Sequence, residues 1–170
     1  MTFIEKINNR FPALGKKFSE FSHKRKSTVW QDMFLCTAVT LCVAFYEFER
    51  FVPAVAVNFI STVLTALFVI CWMWCAFLNG FWKKYSFLIF TAVFWLVPRL
   101  VILREENAGI LNYNKYLDAM SQYSRLLVEF PFLKLSDLFN TSGFLLTVSF
   151  LMWCVLMYFA GGHFKKIINP

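Results

Sequence analysis

The stretch that decides the fold is FVPAVAVNFISTVLTALFVICWMWCAFLNGFW, residues Phe51–Trp82, which carries no charged side chain over 32 residues. A helix needs about 20 predominantly apolar residues to cross the roughly 30 Å of hydrocarbon in a bilayer, and uncharged runs of this length have little use elsewhere. The run is longer than one crossing requires at about 1.5 Å per residue, so we expect its helix to tilt or to extend past the hydrocarbon. The sequence therefore predicts a membrane protein.

Three further apolar segments accompany this run. The four predicted spans cover about residues 30–50, 53–82, 85–103 and 138–164. The chain has 170 residues, enough for one compact unit, and 59% of them are hydrophobic, above the roughly 45–50% that is usual in soluble domains. The predicted fold class is all-α: a polytopic membrane protein whose four transmembrane helices form a domain over residues 29–170.

The distribution of charge predicts the orientation of these spans. With the N-terminus inside, the inner segments hold eleven basic residues against three acids, and the outer segments hold six basic residues against seven acids. Because Lys and Arg concentrate in cytoplasmic loops, both termini are expected to be cytoplasmic, and we expect a bacterial inner membrane. The net charge of +7 comes from residues at the ends of apolar runs, which favours anchoring beside anionic lipid and excludes a nucleic-acid surface.

The first 28 residues are expected to form a basic amphipathic helix on the inner leaflet. The apolar positions that recur at three- and four-residue spacing are Ile4, Ile7, Phe11, Leu14, Phe18 and Phe21. Lys6, Arg10 and Lys16 lie mostly off this face. An apolar face opposite a cationic face is typical of a helix that lies in the membrane interface. A coiled-coil partner would use the same face, so that alternative stays open.

Residues 104–137 form the predicted segment on the outer side. The positions that fit one helical face are Ile110, Tyr113, Leu117, Met120 and Leu127. Pro131 is expected to end this helix, and Asp118, Gln122 and Arg125 are left to face water. This pattern predicts an amphipathic hairpin that rests on the outer interface.

Two charged residues near the outer ends of the spans are candidate interaction or structural residues. Arg99 follows Pro98 about one turn from the outer end of the third span, and Glu47 lies at a similar depth in the first span. A pair between Arg99 and Glu47 would offset the cost of placing each charge near hydrocarbon. The alternative is that Arg99 snorkels to the outer headgroups.

The second span carries a polar stripe on its outer half. Its members are Asn58, Ser61, Thr62 and Thr65, at positions i, i+3, i+4 and i+7. Polar residues at such spacing often hold helices together in lipid, which is the favoured interpretation. The alternative is a hydrated cavity lined by the stripe.

The fourth span carries small residues at two places. Gly143 and Thr147 form a small-xxx-small pair that predicts a close helix approach. Gly161 and Gly162 are expected to end or loosen the helix before the basic residues that follow.

Sequence motifs of catalysis are absent. No HExxH, GxSxG or P-loop pattern occurs, and neither His23 nor His163 has an acidic cluster at metal-binding spacing nearby. All five cysteines fall inside apolar segments. Cys71 and Cys75 share a helix face, which we interpret as packing rather than as a redox pair. The sequence therefore predicts a protein that is not an enzyme, with no catalytic, metal-binding or cofactor-binding residue and no cofactor.

The predicted function is protein–protein interaction within the bilayer. Small four-span proteins of this layout include accessory subunits of secretion or conjugation machines, and immunity or exclusion factors that block a pore-forming toxin or a competing channel. In span number and in having both termini inside, the layout resembles the immunity proteins against pore-forming colicins; this resemblance is architectural and implies no site residue. The expected partner is another integral membrane protein or a second copy of the chain. The alternative is a subunit of a channel or small-solute transporter that uses the stripe Asn58–Thr65 and Arg99.

Overall fold

A computed structural model describes residues 29–48, 54–108, 115–132, 135–136 and 139–168 of the chain. These ranges contain helices and turns and no strand. The helices are α1 (Val29–Phe48), α2 (Ala54–Phe81), α3 (Tyr85–Ala108), α4 (Lys115–Val128) and α5 (Gly143–Ile168), with a 3₁₀ turn at Phe130–Phe132. The basic helix predicted for residues 1–28 lies outside the described residues.

Four of these helices are long and apolar enough to cross a membrane. The qualifying stretches are Val29–Glu47 in α1, Phe59–Phe81 in α2, Tyr85–Asn107 in α3 and Gly143–Ile167 in α5. The prediction of an all-α fold with four helices suited to span a membrane is confirmed for the described residues. The stretches have 19 to 25 residues, close to or above the roughly 20 residues that one crossing takes.

Hydrogen bonds between buried side chains show that α1 and α2 are antiparallel. Near the start of α1, the Oδ2 atom of Asp32 accepts a hydrogen bond of 2.8 Å from Nδ2 of Asn79, near the end of α2. Near the end of α1, Glu47 accepts a hydrogen bond from the hydroxyl of Ser61, in the first half of α2. All four residues are buried. Each helix therefore places its polar side chains against those of the other rather than against lipid.

Ring contacts show that α5 runs parallel to α2. Phe68 stacks on Phe150 with ring centroids 5.3 Å apart, and Phe77 lies 5.9 Å from Phe164 farther along both helices. The start of α1 and the end of α5 consequently lie at the same end of the bundle as the turn between α2 and α3. We call this the turn end, and the opposite end, where α4 lies, the α4 end.

Five aromatic side chains fill the centre of the bundle and are called the aromatic core. They are Phe68 and Trp72 of α2, Trp95 of α3, Phe132 of the 3₁₀ turn and Phe150 of α5. The two Trp side chains are completely buried and their ring centroids are 5.3 Å apart, while Phe132 lies 5.1 Å from Phe150. α1 joins this core through Thr40, whose hydroxyl accepts a 3.0 Å hydrogen bond from Nε1 of Trp72.

The segment after α3 folds back onto the bundle. α3 continues to Ala108, beyond the predicted end at residue 103, and α4 ends at Val128, before Pro131. Of the predicted apolar face, Ile110 and Tyr113 lie outside the described residues. The predicted apolar face of α4 agrees with the buried one only in part: Leu127 packs against the core, whereas Met120 is 57% exposed and Ser121, Ser124 and Val128 are buried. Periodicity alone could not anticipate this, since small polar residues suit a face that packs closely against another helix.

α2 and α5 approach each other closely where they cross at the turn end. A Cβ atom at Gly80 would overlap the backbone carbonyl of Tyr158, and one at Gly161 would overlap the backbone carbonyl of Phe77. The prediction that Gly161 and Gly162 end or loosen the helix is wrong: α5 runs through both to Ile168. Glycine is tolerated there because it allows two backbones to meet, and the resulting contacts stabilise the helix.

We predict that Gly161→Ala destabilises the protein by about 1–3 kcal/mol, because the added methyl group collides with backbone that cannot move aside. In a helix with no close neighbour the same change stabilises by about 1 kcal/mol. The sign of the change in unfolding free energy therefore shows whether another backbone lies against Gly161. Gly143→Ala is the matched control, since a Cβ there lies 3.8 Å from its nearest neighbour, Cγ of Glu129. Thermal unfolding in detergent measures both variants. A Gly161→Ala protein as stable as the wild type would contradict the close crossing.

Candidate functional site

Buried and half-buried polar side chains lie on both sides of the aromatic core. The α4-end cluster consists of Glu47, Ser61, Thr65, Arg99 and Glu129. The turn-end cluster consists of Asp32, Cys36, Cys71, Cys75 and Asn79. Polar groups within a membrane bundle are expensive, so each cluster is either a structural device or a functional site.

Arg99 is held by Glu129 at the α4 end. Its Nη1 atom lies 2.7 Å from Oε1 of Glu129, and the arginine side chain is only 11% exposed. Its Cζ atom also lies 5.2 Å from the ring centroid of Phe144, within the range of a cation–π contact. The sequence suggests Glu47 and the lipid headgroups as partners of Arg99; it does not suggest Glu129, because nothing in it shows that α4 folds back over α3.

Arg125 extends this ion pair into a network that fastens α4 to α3. Its guanidinium lies 3.2 Å from Glu105, 3.0 Å from Glu106 and 3.4 Å from the second carboxylate oxygen of Glu129. Burial alone would lower the pKa of Arg125, but the hydrogen bond to Glu105 and the charges of Glu129 and Glu106 raise it above its ordinary value. Glu129 therefore pairs with both arginines: its Oε1 atom contacts Arg99 and its Oε2 atom contacts Arg125.

The predicted polar stripe of α2 divides between the interior and the surface. Ser61 and Thr65 are buried, and Ser61 donates to Glu47 of α1. Thr62 is exposed on the outside of the helix. The side chain of Asn58 lies outside the described residues. The stripe therefore does not form one surface. Ser61 and Thr65, which are four residues apart, face α1 and the interior.

Some buried polar atoms at and beside the α4 end have no hydrogen-bond partner within the part of the chain that the structure describes. They include Oγ1 of Thr65 and Nε of Arg99 in the α4-end cluster and Nε1 of Trp95 in the aromatic core. Thr65 lies one turn before Phe68 on α2, and Arg99 lies one turn after Trp95 on α3; the rings of Phe68 and Trp95 are 5.9 Å apart. An unpaired buried polar group costs about 1–3 kcal/mol, so these atoms subtract from the stability that the packing of the bundle provides.

Gly143 lies near Glu129 rather than at a close helix crossing. A Cβ atom at Gly143 would be in ordinary van der Waals contact with the side chain of Glu129. Thr147, one turn farther along α5, is buried, and its hydroxyl donates a 2.8 Å hydrogen bond to the carbonyl oxygen of Gly143. The close crossing lies at Gly80 and Gly161 instead, at the other end of α5.

The turn-end cluster brings together residues that the sequence argument treated separately. Cys36 of α1 lies against Cys71 and Cys75 of α2, with the three sulfur atoms all within 4.8 Å of one another. Asp32 precedes Cys36 by four residues, and Asn79 follows Cys75 by four, so the pair of Asp32 and Asn79 lies one turn nearer the turn end. The sequence shows these four-residue spacings, but it does not show the register between α1 and α2 that brings the residues together.

The aromatic core separates the two clusters. Trp72 and Trp95 contact each other, and Phe150 lies 5.3 Å from Trp95 and 6.1 Å from Trp72. Close packing of these rings occupies the space between the two clusters. The α4-end cluster joins neighbouring segments, with Glu47 of α1 bonded to Ser61 of α2 and Arg99 of α3 bonded to Glu129.

We predict that Arg99 and Glu129 are energetically coupled. Arg99→Met alone or Glu129→Gln alone leaves one partner partly buried without its ion pair, which should destabilise the protein by about 1–3 kcal/mol. The double variant should be less destabilised than the sum of the two single variants. Glu47→Gln combined with Arg99→Met is the control cycle and should be additive. Coupling of Arg99 with Glu47 and not with Glu129, measured by unfolding in detergent, would contradict the observed pairing.

The chain matches no protein-family model, no curated protein sequence and no solved structure. No relative therefore assigns a role to either cluster. Function has to follow from the geometry and chemistry of the chain's own residues.

Proposed function

We propose that the protein is a non-catalytic integral membrane protein that acts by binding another membrane protein within the bilayer. The observation that supports this is the aromatic core, which fills the space between the spans. Around it, Asp32 pairs with Asn79, and Arg99 pairs with Glu129. A bundle that uses its polar groups internally offers its outward helix faces and surface grooves to a partner.

A groove on the outside of the bundle gives the partner a place to bind. It has a volume of about 420 Å³ and opens between α2, α5 and the residues that follow the 3₁₀ turn. Its lining includes Val69, Met73, Leu135, Phe139, Ser149 and Trp153. Methionine adapts its shape to a neighbouring side chain, and the hydroxyl of Ser149 can hydrogen-bond a partner helix. The proposed occupant is a side chain from a transmembrane helix of the partner.

Two roles fit this activity: an accessory subunit of a secretion or conjugation machine, and an immunity or exclusion factor against a pore-forming toxin or a competing channel. For either role we propose a bacterial inner membrane with both termini in the cytoplasm. The position of Val29 and Ile168 at the same end of the bundle as Lys83 and Lys84 supports this orientation. Residues 1–28 would then lie along the inner leaflet as an amphipathic helix, in contact with anionic lipid, and α4 with its neighbours along the outer one.

A channel or transporter subunit is the weaker proposal. It would need the polar face of Ser61 and Thr65, together with Arg99, to continue toward the turn end. The rings of Phe68, Trp72 and Trp95 occupy that direction, so conduction would require the aromatic core to come apart.

We predict that a photo-crosslinking amino acid at Ser149 captures one partner of defined mass in native membranes. Val93 is the matched control, since it is exposed on α3 at a distance from the groove residues. A partner that inserts a side chain into the groove should give a discrete adduct from position 149 and none from position 93. Filling the groove with Ser149→Trp should abolish co-purification of the captured protein from the unmodified chain.

Equal adducts from both positions, or adducts with lipid alone, would contradict the proposed use of the groove. Normal folding of each variant is checked by gel filtration and by its unfolding temperature. The captured protein, identified by mass spectrometry, then distinguishes a secretion or conjugation machine from a toxin or channel.

A further inference from the structure

Three cysteine thiols meet between α1 and α2 in the half of the bundle nearest the turn end. Cys36 is completely buried, Cys75 is 1% exposed and Cys71 is half-buried. The i, i+4 spacing of Cys71 and Cys75 puts both sulfur atoms on one helix face, and the register of α1 brings the sulfur of Cys36 against them. We propose that Cys36, Cys71 and Cys75 form a binding site for a soft monovalent metal ion of the copper(I) class.

The spacing of the sulfur atoms fits a metal ion at their centre. A metal–sulfur bond of about 2.3 Å, with the ion in the plane of three sulfurs, requires sulfur–sulfur distances of about 4 Å. The three sulfurs all lie within 4.8 Å of one another, so small rotations of the side chains complete the triangle. The ligands come from two helices whose relative position is set by hydrogen bonds on either side of the cluster, which limits the rearrangement that binding requires.

The number and kind of ligands favour copper(I). Thiolate sulfur is a soft ligand that selects copper(I), zinc and iron–sulfur clusters. A structural zinc site takes four ligands, and no His, Asp or Glu of the described residues joins the three sulfurs at this spacing. Copper(I) is satisfied by three sulfur ligands in a dry site. A sulfur triangle without a fourth ligand therefore fits copper(I) better than zinc.

The polar residues nearer the turn end lie on the path by which a cation would reach the three sulfur atoms. Asp32 lies one turn nearer that end than Cys36, and its carboxylate is oriented by the 2.8 Å hydrogen bond from Asn79. A cation that enters from the turn end meets this carboxylate before it reaches the softer sulfur ligands. Each thiol that binds as thiolate releases its proton, so the affinity for the ion should rise with pH.

The test is a titration of the purified full-length chain in detergent with copper(I), under anaerobic reducing conditions, against a coloured copper(I) chelator. The wild type should bind one ion per chain. Cys36→Ser and Cys75→Ser should each weaken binding by at least about 100-fold, because even loss of an outer-shell group costs 10–100-fold. Cys42→Ser and Cys154→Ser are matched controls: one replaces an exposed thiol and one a buried thiol, neither of which belongs to the sulfur triangle. Both should bind as the wild type does.

X-ray absorption spectroscopy of the copper-loaded wild type identifies the ligand atoms around the metal even if a serine variant does not fold. It should show three sulfur neighbours at about 2.3 Å and no nitrogen. Fewer than three sulfurs, undiminished binding in a folded Cys36→Ser protein, or equal losses in the control variants would overturn the proposal. Tighter binding of zinc(II) than of copper(I), measured with a zinc chelator, would overturn the assignment of the metal class.

Discussion

The packing of aromatic rings at the centre of the bundle is the constraint on which the rest of the structure depends. Lipid tails are as apolar as leucine, so apolar burial alone does not drive helices together inside a membrane. What remains is dense van der Waals contact, and Trp72, Trp95 and Phe150 supply it with interlocked rings from three spans. Phe132 adds one further ring from outside the spans, which explains why the chain after α4 returns into the bundle instead of resting on its surface.

The polar groups follow from this arrangement. Because the rings occupy the middle, the charged side chains of the spans lie toward the two ends, where Asp32, Glu47 and Arg99 pair with neighbouring segments. Arg99 reaches Glu129 at one end, and Asp32 reaches Asn79 at the other. Such pairs fix the register of the helices. If one helix slid along its neighbour, the pair would separate and leave a charge without its partner inside the membrane, which costs free energy. The same register brings Cys36 to Cys71 and Cys75, so the proposed metal site is a consequence of how α1 is held.

The four spans were predictable from the sequence because a membrane span requires a long uncharged run of consecutive residues, and such a run is visible without any knowledge of the fold. Helix register was not predictable, since it depends on contacts between residues far apart in the chain. Glu129 illustrates this: its place in an extramembrane segment concealed that it would lie against Arg99. Gly161 shows the opposite error, because glycine ends a helix by its local preference but permits a close crossing when another backbone, here that of Phe77, lies against it.

The central claim is that the aromatic core closes the bundle, so that its interior is dry and its outward surface carries the function. The most direct measurement is the reaction of Thr65→Cys, in a variant with its native cysteines replaced, with a thiol reagent that does not cross membranes. Thr65 faces the interior at the margin of the aromatic core, and Thr62, exposed on the same helix, gives the lipid-facing comparison. The account predicts that Thr65→Cys stays protected in intact membranes and reacts fully after unfolding in detergent. Rapid labelling of Thr65→Cys in the membrane would mean that water reaches the centre of the bundle, and would contradict the account.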